Sequence, residues 1–228
     1  MGLRMRIYFF QSKLSWVLVD LWEEAMSPLT AEKVQELLRQ ADQIIEQCKN
    51  ALDFETGNPK AERMLRNLKK FPHHFVLACV MDRQIKAQRA WIIPYQVGLE
   101  IGGFDFDSYE RLSLNAAKAL FQNRKLHRFN DVMAKNFVGA VGRIRSKYEG
   151  DASQIWACTP SSATVIRRFL EFDGVGIKIG TMATNILVRQ FGVSMKDKSA
   201  IDISPDVQVM KFFKDRGLLR KEANLTAS

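Results

Sequence analysis

Cysteine is scarce in this chain. There are three in 228 residues, Cys48, Cys79 and Cys158, far apart from one another. Such a set offers neither a disulfide framework nor metal-ligand spacing, and it excludes an iron–sulfur cluster held by four thiolates. A reducing, intracellular compartment is the expected setting. Histidine is equally sparse. His73, His74 and His127 form no metal motif. Neighbours on a helix project in different directions, so these histidines read as packing or surface residues. Long apolar runs are missing. The most apolar early stretch, 5–22, is broken by Arg6, Gln11, Lys13 and Asp20. It falls short of the roughly 20 apolar residues that span a bilayer, and it lacks a clean signal-peptide core. It reads as a strand or helix packed on the core, or as an extension from an upstream start codon. Alternating strand patterns and repeats at solenoid spacing are also absent, which argues against sheet and repeat architectures.

Positive charge is what the chain has in excess. The 34 Lys and Arg residues against 25 Asp and Glu leave a formal charge of +9. A basic surface attracts polyanions, so nucleic acid is the first partner to consider, with plain solubility as the alternative. Hydrophobic residues make up 46% of the chain, 15 of them Phe, enough for a core of ordinary size in one large domain or two small ones.

Helical periodicity runs through most of the sequence. Ser27-Pro28-Leu29-Thr30 is a helix start, and Val34, Leu37, Leu38, Ala41, Ile44, Ile45 and Cys48 follow at spacings of three and four. Thr56-Gly57-Asn58-Pro59 breaks the chain before a short helix with Met64, Leu65 and Leu68. Residues 73–84 read as a buried helix that gives way to a polar, basic run, 82–89. Another helix, interrupted by Pro94, leads to Gly102-Gly103, and 112–121 is helical. Met133, Phe137, Val141, Ile144 and Tyr148 mark a longer helix whose opposite face carries Lys135, Arg143, Arg145 and Lys147, solvated or turned to a phosphate backbone. Ser161 or Ser162 caps the helix holding Val165, Ile166, Phe169 and Leu170. A further helix buries Ile179, Met182, Ala183, Ile186 and Leu187 and ends near Gly192. After a polar loop, Ser204-Pro205-Asp206 opens a last helix with Val209, Phe212 and Phe213. The fold class is all-α.

The stretch that carries chemistry is Phe172-Asp173-Gly174-Val175-Gly176-Ile177-Lys178. Gly174 and Gly176 allow a tight turn and a close backbone approach to a ligand. The helix that begins there offers free N–H groups and a positive dipole end to an anion. A lysine in that first turn is electrostatically disfavoured, and such local conflicts mark functional sites. The same field, with partial burial, would lower its pKa and make Lys178 a nucleophile able to form a Schiff base. The alternative is a lysine that contacts phosphate. Asp206, at the start of a helix, would stay ionised and steady a developing cation or accept a proton, or would only stabilise the helix dipole.

Residues 170–180 resemble the helix-hairpin-helix of the endonuclease III superfamily of DNA glycosylases. Pro205-Asp206-Val207-Gln208-Val209 is similar to the element that carries that family's aspartate. Val80-Met81-Asp82-Arg83-Gln84, Ile93-Pro94-Tyr95 and the helix up to Asp151 extend the likeness over about residues 70–217. The resemblance implies two helical lobes with a DNA-binding cleft between them. Residues 1–70, with part of the C-terminus, would form one lobe, 71–192 a helical bundle ending in the hairpin, and 193–228 a loop and C-terminal helix carrying the aspartate. Lys178 matches the lysine of bifunctional glycosylase/lyases, Asp206 the shared aspartate, and Gln84 the side chain that enters the base stack. The main chain of Gly174, Val175 and Gly176 would grip a phosphate. The implied partner is duplex DNA with a damaged base or an abasic site, bound by an intracellular monomer without a membrane. The resemblance implies no metal or organic cofactor and no iron–sulfur cluster, and it allows a monovalent cation at the hairpin.

Three departures stand out. Lys178 and Asp206 lie 28 residues apart (206 − 178), longer than the family's usual gap, and the extra loop brings Asp197 and Asp202, the latter a rival carboxylate. Gln208 stands where many members have histidine. The chain runs only 22 residues beyond Asp206 (228 − 206), so the second lobe is expected from the N-terminal helices. Trp91, Phe104, Trp156 and Phe213 are the aromatics that would stack on a base or pack in the core.

Overall fold

A computed structural model describes Gln35, Glu36, Arg39, Gln40, Phe54, residues 56–201 and residues 207–217. Asp202 and Asp206, the early apolar stretch and most of the first helical stripe lie outside the described residues. The chain divides into two compact units, 49–204 and a second made of 1–48 with 205–228. In the second, helix Val207–Asp215 is followed by Arg216, whose guanidinium lies 3.7 Å from the Phe212 ring centroid and donates to Gln40 at 3.5 Å.

Among the described residues the 49–204 unit is helical, without strands. Helix α1 (Pro59–Arg66) starts where Asn58 accepts from the backbone N–H groups of Lys60 and Ala61, with proline at the first position. Helix α2 (Pro72–Met81) also begins on proline, and all ten of its residues are buried. A helix apolar on every side belongs inside a core. It packs against α3 (Ala87–Ile101), α6 (Asn130–Tyr148) and α8 (Ile177–Arg189). Fully burying a side chain of the size of Phe75 or Leu77 contributes about 1.5–3 kcal/mol. Helix α4 (Phe106–Glu110) is capped by Asp105, α5 (Leu114–Arg124) by Ser113, and α7 (Ser162–Leu170) by Ser161, whose hydroxyl accepts from Thr164 N–H at 3.2 Å. Helix α5 packs along α6, and α7 along α8.

Several boundaries differ from the periodicity. The helix expected over 73–84 stops at Met81: the Asp82 N–H turns back to the Cys79 carbonyl, and Gln84 adopts a left-handed backbone (φ 55°). The helix expected over 112–121 begins at Leu114, because Ser113 is its cap, and runs to Arg124, where left-handed Lys125 ends it. Helix α8 ends at Arg189, short of Gly192. Pro94 sits inside α3, and its carbonyl accepts from the Tyr109 hydroxyl at 2.8 Å.

The histidines are packing residues, as one of the two readings had it, but His73 and His74 do not diverge. Their rings lie 4.9 Å apart, between α2 and α4. His73 Nε2 bonds the Phe104 carbonyl at 3.0 Å, and His74 Nε2 bonds the Tyr109 hydroxyl at 2.9 Å. Burial pushes the His74 imidazole down to about 3, with the neighbouring His73 adding to the shift, and burial lowers His73 as well.

Candidate functional site

Helices α7 and α8 are joined by the turn 171–176. Two glycines serve that turn differently. Gly174 has φ +89°, and a Cβ there would come within 2.5 Å of the buried Asn136 side chain on α6. The fold itself therefore requires glycine at 174. Gly176 caps α8 with φ −95° and ψ 177°, a backbone that any residue adopts, and a Cβ there would meet nothing. Its lack of a side chain leaves open the space in front of the first N–H groups of α8. No side chain caps that helix, and no acidic residue sits in its first turn.

A cavity of about 620 Å³ lies beside this turn, lined by 82–85, Gly174, Val175, Gly176, Lys178, Ile179 and Met182. It gathers every sequence-derived site residue that the structure describes: Lys178, Gln84, Gly174, Val175 and Gly176. Gln84 arrives from the loop after α2, where its left-handed backbone stores about 1–3 kcal/mol of strain. Lys178 is exposed, which corrects the expected partial burial. It stands in the outward first turn of α8, next to Ile177, itself 60% exposed.

Asp82 and Arg83 also line the cavity, and the sequence alone suggested no role for either. Asp82 ends the wholly buried α2 and is half-buried. Burial raises its carboxyl above the ordinary value, and the charge of Lys178 draws it back. In sequence it is only an acid at the end of an apolar helix, opening a basic run; its place beside Lys178 comes from the fold.

The basic run is tied to a second one. Arg89 on α3 donates to the Leu126 carbonyl at 3.2 Å and to that of Lys125, while His127 Nε2 bonds the Met81 carbonyl at 3.1 Å. These bonds join 83–89 and 125–128 into one basic ridge on which Arg83, Lys86, Lys125 and Arg128 are all exposed, and Arg83 lines the cavity. Among the described residues none of them is ion-paired; Arg128 stands over the Phe129 ring at 5.3 Å. The C-terminal end of the basic face of α6 is different, whereas Lys135 and Arg143 on the same face carry no ion pair among the described residues. Arg145 pairs with Asp107 at 2.8 Å and Glu110 at 2.6 Å, and Lys147 with Glu171.

The loop after α8 is anchored. Ser162, fully buried, donates to Asp197 at 2.6 Å and accepts from Ala200 N–H at 3.1 Å; Ser199 also donates to Asp197, and Asn185 bonds the Ile201 carbonyl at 2.9 Å. These bonds hold the Asp197 carboxyl below its ordinary value. They make it a structural clip. Of the candidate stacking aromatics, Trp156 is buried against Phe75, Trp91 packs on Phe54 at 4.7 Å, Phe104 stacks on Tyr95 at 5.3 Å, and Phe213 lies on Phe212 at 5.5 Å. None of them lines the cavity.

No protein-family model matches the chain, and no curated protein or solved structure matches it at a significant level.

Proposed function

We propose that this chain is a DNA glycosylase of base-excision repair with abasic-site lyase activity, built on a helix-hairpin-helix and acting through a lysine Schiff base. The observation that carries the reading is the shared cavity. Lys178 and the open Gly176 turn come from one end of the unit's sequence and Gln84 from the other, yet all face the same space. The turn supplies backbone N–H groups for a phosphate. Gln84, on a strained loop, is placed to fill the gap that a flipped nucleotide leaves. Lys178 attacks C1′, the base departs, and β-elimination from the resulting Schiff base cuts the strand on the 3′ side. The unpaired ridge at 83–89 and 125–128 supplies the charge for the duplex. The aspartate after the loop, Asp206 or its rival Asp202, keeps its proposed role in base removal, activating Lys178 there or steadying the sugar cation.

The exposure of Lys178 favours one competing reading, a monofunctional glycosylase in which the lysine only contacts DNA. Borohydride trapping separates the two. The protein is incubated with duplexes carrying an abasic site or one of a panel of damaged bases, beside Lys178→Gln. A covalent protein–DNA adduct is expected from the wild type and none from Lys178→Gln. Base release without any adduct would sink the lyase step and leave the monofunctional reading.

A further inference from the structure

Among the described residues, one carboxylate that the sequence did not single out, Asp82, shares the cavity of Lys178. Asp82 and Lys178 stand 96 residues apart (178 − 82), yet line the same cavity, Asp82 from the end of α2 and Lys178 from the first turn of α8. Among the described residues no backbone N–H donates to the Asp82 side chain. Asp105, Asp151 and Asp197, by contrast, each accept from one. Among the described residues Asp82 therefore caps and clips no backbone group, and α2 ends through the Asp82 backbone. A half-buried carboxylate without such a role is costly unless its charge is used.

Building on the proposed function, we propose that Asp82 acts through Lys178, holding the side chain in the cavity and accepting a proton from its ammonium group before attack. On an abasic site the step balances within the cavity. An Nζ–H proton moves to the Asp82 carboxylate, and the freed lone pair adds to C1′ of the aldehyde. A second Nζ proton shifts to the aldehyde oxygen, which leaves as water with the proton that Asp82 held. The product is the protonated Schiff base, with Asp82 ionised again. Burial suits the carboxylate to this exchange, since it brings its proton affinity closer to that of the amine. Among the described residues the ionisable groups around Asp82 are Lys178 on α8, Arg83 alongside and Cys79 in the last turn of α2, whose thiol is pushed up by burial and by the Asp82 charge. His127, from the turn before α6, bonds the carbonyl of Met81 next door.

The test is single-turnover borohydride trapping on an abasic-site duplex from about pH 6 to about pH 10, beside binding to a duplex with a reduced, unreactive abasic site. Wild type, Asp82→Asn and Lys178→Gln are compared, all checked for folding by circular dichroism. Asp82→Ser replaces Asp82→Asn if the latter does not fold. The expected result is that Asp82→Asn binds the unreactive duplex as the wild type does. Its trapping near neutral pH is slower by about 100-fold, the lower end of what a positioned base contributes. That deficit closes as rising pH supplies hydroxide to take the proton in place of Asp82. Trapping by Asp82→Asn at the wild-type rate, or slowed by one factor at every pH, would overturn the inference while leaving the lyase reading intact. A wild type that traps nothing would remove both.

Discussion

Two basic regions of this molecule look alike in sequence and differ in space. On α6, Arg145 and Lys147 sit on an exposed helical face, the pattern that suggests a nucleic-acid surface. Both are neutralised within the chain, Arg145 by two carboxylates of α4 and Lys147 by Glu171, which Arg167 shares. Along 83–89 and 125–128, one cation, Arg89, joins the two segments by bonds to backbone carbonyls, which position the loops without cancelling charge. A run of basic residues thus says little about polyanion binding until the acids around it are placed. One region holds helices together, and the other is left with a field that reaches outward.

The largest expected effect comes from the ridge. Replacing Arg83, Lys86 and Arg128 together by Gln is expected to weaken DNA binding by about 10- to 1000-fold. The slope of log K against log salt should flatten by about 0.9 for each phosphate that the variant no longer neutralises. Fluorescence anisotropy across a salt series measures both, and an unchanged slope would dissolve the contrast between the regions. Next comes acid, which reaches the neutralised region from beneath. Helix α4, which carries Asp107 and Glu110, is held to α2 by the His74–Tyr109 bond. Unfolded His74 takes a proton near pH 6.5 and folded His74 only near about 3, so below 6.5 the unfolded chain binds more protons. Stability from this group is complete above about pH 6.5 and drains as pH falls toward about 3, with His73 acting in the same direction. Urea midpoints at a series of pH values should fall across that window, and a His74→Gln variant should show a shallower fall. The smallest effect belongs to Arg145→Gln. It should lower the melting temperature slightly and leave DNA affinity at low salt close to wild type, because exposed ion pairs contribute little. A loss of affinity as large as that of the ridge variant would mean that α6 also faces DNA.

Much of the fold was legible because helices are local. Stripes at spacings of three and four located α6, α7 and α8; of the two serines that could cap α7 the cap is Ser161, and the break read at 56–59 holds the Asn58 cap and the Pro59 start of α1. Ends were harder. Lys125 stops α5 in a left-handed conformation that its side chain does not advertise, whereas the turn read at Glu149-Gly150-Asp151 is where α6 ends. The uniform apolarity of α2 offered no phase from which to read where it stops. The same distinction holds at the site. Gly174, Gly176 and Lys178 are neighbours in sequence and could be read as a unit, and Gln84 followed from the resemblance. Asp82 could not, because what singles it out is a lysine far along the chain. The Arg145 pairs, spanning 35 and 38 residues, were hidden for the same reason.

The two glycines of the turn answer to different selections. Gly174 is held by its own backbone and by the Asn136 side chain below it, so it is a condition for having a folded protein at all. Gly176 is under no such constraint from within. In a lineage that kept the fold but stopped meeting its ligand, position 176 would be free to drift while 174 stayed fixed. The pair therefore separates, within one turn, the ancestry of a shape from the persistence of its use.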